Sequence, residues 1–228
     1  MASPEVFSLY RNYSSHMVVQ RDRPVVFAGR GRPGKVFRLT FAGHTRRGVV
    51  GPDGRWQAEF PPLPAGGPWS LTAACGDQTL ELEDVMSGEV WFCSGQSNME
   101  MPVDSADPHW RALNGADELA DADYPAIRLF DANATRSPAD APREDEVNPD
   151  GWRRCSAATA RNFSALAFFF ARRLHQDLEV PVGVVNCCWG GTDIKAWISR
   201  DAYLRHDVRL PSDAEQAQAV PAQWAAYV

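Results

Sequence analysis

A chain of 228 residues, 44% apolar and 23% charged, is long enough for one domain with an ordinary core and short for two. Its formal charge of −6 argues against a nucleic-acid partner, which selects faces rich in Lys and Arg. No run approaches the roughly 18 consecutive apolar residues that a membrane span requires, so no membrane partner is expected. The opening Met1-Ala2-Ser3-Pro4-Glu5 lacks a basic segment followed by an apolar stretch, so no signal peptide is read. A cytoplasmic protein is favoured over a secreted one whose leader has been removed. The triplets at Asn12, Asn133 and Asn162 that match the glycosylation pattern then carry little weight. Residues 1–86 read as all-β. Short apolar or alternating runs (Val25–Ala28, Val36–Phe41, Trp56–Phe60, Trp69–Ala74, Thr79–Leu82) are separated by turn chemistry at Arg32-Pro33-Gly34, Gly51-Pro52-Asp53-Gly54 and Pro64–Pro68. Their spacing predicts a small β-sandwich.

From residue 87 to 228 the pattern is that of an α/β domain. Gly88–Ser94 predicts a buried parallel strand and Ala126–Phe130 a second one. Asn162–Leu178 predicts a helix capped by Asn162, with Phe163, Leu166, Ala167, Phe170, Leu174 and Leu178 at helical spacing. Val182–Cys188 predicts a third strand, and Thr192 a cap for a short helix after it. Ser137–Asp150 reads as a solvated loop, and the tail Leu210–Val228 shows no clear apolar stripe. Strand, helix, strand, turn and helix in that order predict the start of a parallel sheet. The five cysteines (Cys75, Cys93, Cys155, Cys187, Cys188) are odd in number and show no C-x-x-C spacing, which disfavours a disulfide framework and a zinc site.

Two segments have the chemistry of a site. Ser97, in Gly95-Gln96-Ser97-Asn98-Met99, directly follows a predicted strand. A strand-to-helix turn exposes a serine Oγ at the carboxyl end of a sheet, and backbone N–H groups at such a turn can face an oxyanion. Gly-x-Ser also occurs in ordinary loops. The second segment is Trp189-Gly190-Gly191-Thr192, where two glycines let backbone approach a ligand closely; its bland alternative is a tight turn with no ligand.

Glu89–Met101 (EVWFCSGQSNMEM) and Val182–Trp197 (VGVVNCCWGGTDIKAW) together resemble the two conserved blocks of sialate O-acetylesterases and related carbohydrate esterases of the SGNH-hydrolase type. Ser14–Gln20, Gly29–Gly34 and Phe163–Phe170 match in the same order, so the resemblance runs from about Tyr10 to Trp197. It implies an SGNH-hydrolase-like, flavodoxin-like parallel sheet, incomplete in this chain, behind the β-sandwich. It also implies Ser97 as the nucleophile of an acetyl-enzyme, and an oxyanion held by the Ser97 N–H with an N–H from the Gly190-Gly191 pair, Gly191 preferred. Gln96 and Asn98 would shape the turn, and no cofactor or metal is required. The implied substrate is an O-acetylated carbohydrate, sialic acid first and acetylated plant polysaccharides such as xylan as the rival.

The same resemblance implies a later block that supplies an oxyanion Asn, and a downstream Asp-x-x-His segment that supplies the base. Neither pattern occurs here. His16 and His44 fall in the β-module, His175 on the polar side of the helix, and His109 and His206 near Asp107 and Asp207 in loop-like surroundings. The expectation is therefore the N-terminal portion of a longer enzyme, with an open sheet edge that invites self-association or a partner. The alternative is a catalytically silent carbohydrate-binding or scaffolding chain, using Trp56, Trp69, Trp110 and Trp152 to stack on sugars.

Overall fold

Alternation along the first strands builds two β layers around one core. β1 (Ser8–Leu9), β3 (Val25–Arg30) and β6 (Arg55–Phe60) form a three-stranded antiparallel sheet. Facing it are β4 (Val36–Phe41), β5 (His44–Val49), β7 (Gly66–Cys75) and the first part of β8 (Gln78–Gly95). Every second residue of β4 and β6 points inward: Phe37, Leu39 and Phe41 from one, Trp56, Ala58 and Phe60 from the other. Phe27 of β3 closes the layers edge-on against Phe41 and Phe60, with ring centroids 5.1 and 5.8 Å apart. The computed structural model describes residues 6–132 and 150–198, with Ala202 and Arg205; two compact units are distinguished, Met1–Gly190 and Gly191–Val228. Most of the Ser137–Asp150 segment and all of the Leu210–Val228 tail lie outside the described residues.

β5 was not expected, because HTRRGV has no apolar alternation. A two-residue turn makes it: Ala42 and Gly43 both take positive φ, +47° and +79°, the geometry that returns a strand upon itself. Its arginines keep this edge strand solvated.

β8 is the spine of the large unit. It runs unbroken through residues 86 and 87, where the all-β and α/β segments were expected to separate. Its register against β7 shifts at a bulge around Asp84, whose φ is +57°. A short parallel strand, β2 (Val18–Gln20), pairs with Met86–Gly88. Beyond that, Glu89–Gly95 pairs in parallel with β11 (Val182–Cys188). β11 pairs in parallel with β9 (Tyr124–Asp131), and β9 pairs antiparallel with β10 (Arg153–Cys155). The sheet is thus mixed, with few helices beside it.

α4 (Ala165–Leu178) covers one face of this sheet, laying Ala167, Phe168 and Ala171 against Ile127, Leu129, Val182 and Val184. Two expectations need correction here. The helix begins three residues later than predicted and is capped by Ser164, whose Oγ accepts the Ala167 N–H at 3.2 Å, rather than by Asn162. Its buried stripe is also rotated: Leu166 and Phe170 are 53% and 37% exposed, while the alanines take the inner positions. The third correction is to Gly88–Ser94, which is parallel as expected but not buried. Trp91 is 44% and Phe92 65% exposed, because β11 pairs along only one edge of Glu89–Gly95 and no strand among the described residues pairs along the other.

Candidate active site

Ser97 is the first residue of α1 (Ser97–Glu100), a single helical turn at the carboxyl end of β8. The turn is closed by the Gln96 carbonyl, which accepts N–H groups from Met99 and Glu100 at 2.9 Å each. Gln96 and Asn98 are exposed, and Asn98 makes no side-chain hydrogen bond to a described residue. Ser97 is half-buried, and its Oγ likewise has no hydrogen-bond partner among the described residues.

The chain leaving α1 is stitched to the start of α4. Ala165 N–H donates to Met101 O, Val103 N–H to Phe163 O and Asp104 N–H to Arg161 O, at 2.9–3.1 Å. Asp104, 4% exposed, is held by Arg111 at 3.2 Å and by Arg161. These bonds fix the path of the turn that carries Ser97.

β11 delivers the second segment beside the first. Its last residue, Cys188, is paired with Gly95, and Trp189 N–H donates to the Gly95 carbonyl at 2.9 Å. Gly190 follows, and its N–H donates to Glu100 Oε2 at 2.6 Å. A Cβ on Gly190 would lie 3.6 Å from Ser97 Oγ. Ser97 and Gly190, far apart in sequence, are therefore neighbours in space. The Gly190 N–H is engaged by Glu100. Gly191 opens the second unit, with φ of +77°; in that unit Ile194–Trp197 forms a 3₁₀ turn, and Trp197 Nε1 donates to Thr192 Oγ1 at 2.9 Å.

Glu100 is the site residue that the sequence pattern did not mark. Its only local signal is spacing, since a residue three positions after Ser97 shares its side of a helical turn. Behind the turn, the Cys188 thiol lies 2.9 Å from Asn186 Oδ1 and 3.4 Å from Met99 O. Burial, and then the neighbouring Cys188, push the Cys93 thiol up from its ordinary value, the opposite of the shift that activates a cysteine. None of the five cysteines forms a disulfide.

No described histidine hydrogen-bonds to Ser97. His16 Nδ1 lies 2.7 Å from Asp84 Oδ2, at the bulge well before the carboxyl end of β8, and His175 Nδ1 is 2.7 Å from Val180 O. His44 lies on the exposed strand β5, and the His109 ring bonds to no described residue. His206 lies outside the described residues. The tryptophans proposed for sugar stacking divide. Trp56 and Trp152 are core residues at 4% and 6% exposure, Trp69 is half-buried against the same core, and Trp110 is 39% exposed.

The chain is similar to known proteins. The family described as carbohydrate esterase, sialic acid-specific acetylesterase, matches residues 87–220, a span that includes both turns. The chain is 35% identical to the sialate O-acetylesterase of Rattus norvegicus over 164 residues, covering 68% of this chain and 29% of that protein. It is 32% identical to the sialate O-acetylesterase of Homo sapiens over 221 residues, covering 85% of this chain and 38% of that one. The crystal structure of a carbohydrate acetylesterase from Xanthomonas citri superposes with a TM-score of 0.80 at 29% identity, covering 90% of this chain and 46% of the other. The chain thus spans about a third of the length of these curated relatives. Because the family match runs through the Ser97 turn and the Gly190 turn that the fold brings together, this chain belongs to the sialic acid-specific acetylesterase family of carbohydrate esterases.

Proposed function

We propose that this chain carries the nucleophile of a serine esterase that removes O-acetyl groups from carbohydrates, with sialic acids the first substrate class and acetylated polysaccharides the second. The observation that carries the reading is the meeting of Ser97 and Gly190 at the carboxyl ends of two parallel, adjacent strands. Ligand sites of α/β sheets collect at that end. The parallel trio of β9, β11 and β8 with α4 on one face supports an SGNH-hydrolase-type domain behind the β layers.

In this reading Ser97 Oγ attacks the acetyl carbonyl carbon while a base takes its proton. The tetrahedral intermediate collapses, the bond to the sugar oxygen breaks, and that oxygen receives the proton. Water then hydrolyses the acetyl-enzyme by the same route in reverse order, releasing acetate. The Ser97 N–H and the Gly191 N–H are our choice of oxyanion donors, with Gln96 and Asn98 shaping the approach. The resemblance implies a base and carboxylate from a downstream Asp/His segment, a pattern these 228 residues lack, so activation of Ser97 in this chain draws on another group of the chain or on a partner copy.

The test is a fluorophosphonate probe read by intact mass, with Ser97→Ala beside the wild-type chain. A single adduct that disappears in the variant supports an activated serine. A folded wild-type chain that takes up no adduct overturns the reading for this chain and favours the silent carbohydrate-binding alternative.

A further inference from the structure

Glu100 joins the two halves of the site across 90 positions of sequence. Its Oε2 accepts the Gly190 N–H at 2.6 Å, a short hydrogen bond. The position a Cβ would take on Gly190 is 2.6 Å from that oxygen and 3.6 Å from Ser97 Oγ, so one point on the turn is within reach of both side chains. One turn of α1 carries Ser97 and Glu100 together, and three contacts join this turn to the end of β11. Gly95 O accepts from Trp189 N–H, the Cys188 thiol lies near Met99 O, and Glu100 accepts from Gly190 N–H. Of these, the Glu100 bond is the one that lies beside Ser97 Oγ.

We infer that Glu100 is a positioning residue for acyl transfer at Ser97, an inference that rests on the serine-esterase reading above. It holds the Gly190 peptide at a fixed place beside Ser97 Oγ, and so sets the backbone against which the acyl group is presented. It acts through geometry and not through charge. A carboxylate turned toward a developing oxyanion would repel it, whereas this one spends a lone pair on a backbone N–H. A misplacement of about 1 Å in such a site lowers rates by about 100-fold, so a hydrogen bond that fixes one turn against another has a measurable kinetic effect.

Reach and charge can be separated by substitution. Glu100→Gln keeps the reach and an acceptor oxygen but loses the charge; Glu100→Asp keeps the charge and is one methylene too short; Glu100→Ala has neither. The rate constant for fluorophosphonate labelling of Ser97 is measured on the full 228-residue chain and on each variant, with the amide proton shift of Gly190 as a second readout. The expected result is a Gln variant within about 3-fold of wild type, Asp and Ala variants slower by about 10-fold or more, and a Gly190 amide that moves upfield in the latter two alone. If Ala fails to fold, the near-isosteric Gln and Asp variants decide. An Asp variant faster than Gln, or four proteins labelled alike, overturns the positioning role and leaves the serine reading intact. A folded wild-type chain that is not labelled at Ser97 overturns the serine reading, and the positioning role with it.

Discussion

A Cβ built on Gly190 would meet the end of the Glu100 side chain at 2.6 Å, whereas one on Gly88 would meet the Pro181 carbonyl oxygen at 1.9 Å. A flexible carboxylate can swing aside; a backbone carbonyl between two paired strands cannot. Gly190→Ala should therefore unfold within about 1 kcal/mol of wild type in urea and yet label about 10-fold more slowly with a fluorophosphonate, because the displaced Glu100 no longer fixes the turn. Gly88→Ala should lose about 3 kcal/mol or more of stability, through overpacking against backbone. Equal stability of the two variants would contradict the placement of these turns. The sequence reading singled out Ser97 and the Gly190-Gly191 pair because each lies just past a predicted strand with a glycine at the turn. It did not reach Glu100, whose part depends on a contact with a residue 90 positions away that no local pattern encodes.

The same limit acts on whole elements, and α4 shows it. Of six apolar positions spaced for a helix, Phe163 and Ala167 are buried and Leu174 packs against the same core, but Leu166, Phe170 and Leu178 are exposed. Leu166 and Phe170 satisfied the period, yet the fold buries Ala165, Ala167, Phe168 and Ala171. Small residues let the helix axis approach the sheet closely, and of the three buried alanines the reading marked Ala167 but not Ala165 or Ala171. Phe170 instead packs edge-on against Trp91, centroids 5.1 Å apart, at the rim of the sheet. Ala167→Leu should then cost about 1–3 kcal/mol, since the site is fully buried with no space for the added methylenes. Leu166→Ala should change stability by about 0.5 kcal/mol or less, because the side chain is half in water and alanine is the better helix former. Urea unfolding of the two variants gives the order directly, and the reverse order would place Leu166 rather than Ala167 against the sheet. β5 is the opposite case: its residues carry no strand pattern, and the Ala42-Gly43 turn alone imposes pairing.

Across the molecule, β8 separates two functions by length. From Asp84 to Gly95 the strand advances 11 residues, about 36 Å at about 3.3 Å per residue, so the bulge and the Ser97 turn lie at opposite ends of the sheet. At the bulge, Asp84 gathers side chains from strands that the sequence divides between the all-β and the α/β segments. Arg128 of β9 binds it through two nitrogens, 2.6 and 3.2 Å from its oxygens, Arg154 of β10 reaches it at 2.8 Å and His16 at 2.7 Å. Arg128 is 3% exposed and also donates to the Pro125 carbonyl. Burial by itself would raise the Asp84 pKa, but the hydrogen bonds from Arg128, His16 and Arg154 outweigh it and hold the carboxyl well below the usual carboxylate range. A carboxylate depressed in the folded state stabilises that state fully above its unfolded value, about 3.9, and loses the contribution as pH falls toward the folded value. Asp84→Asn removes the charge and leaves a buried guanidinium without it, a change that should cost about 3 kcal/mol near neutral pH. Urea unfolding of both proteins at a series of pH values should show the gap constant from neutrality down to about pH 5 and closing below about pH 4. A gap that stays constant through the acid range would mean that Asp84 contributes through shape alone. Because the bulge stands a full strand length from Ser97, the same variant, where folded, should label with a fluorophosphonate at the wild-type rate; slower labelling would show that the clamp at one end of β8 governs the geometry at the other.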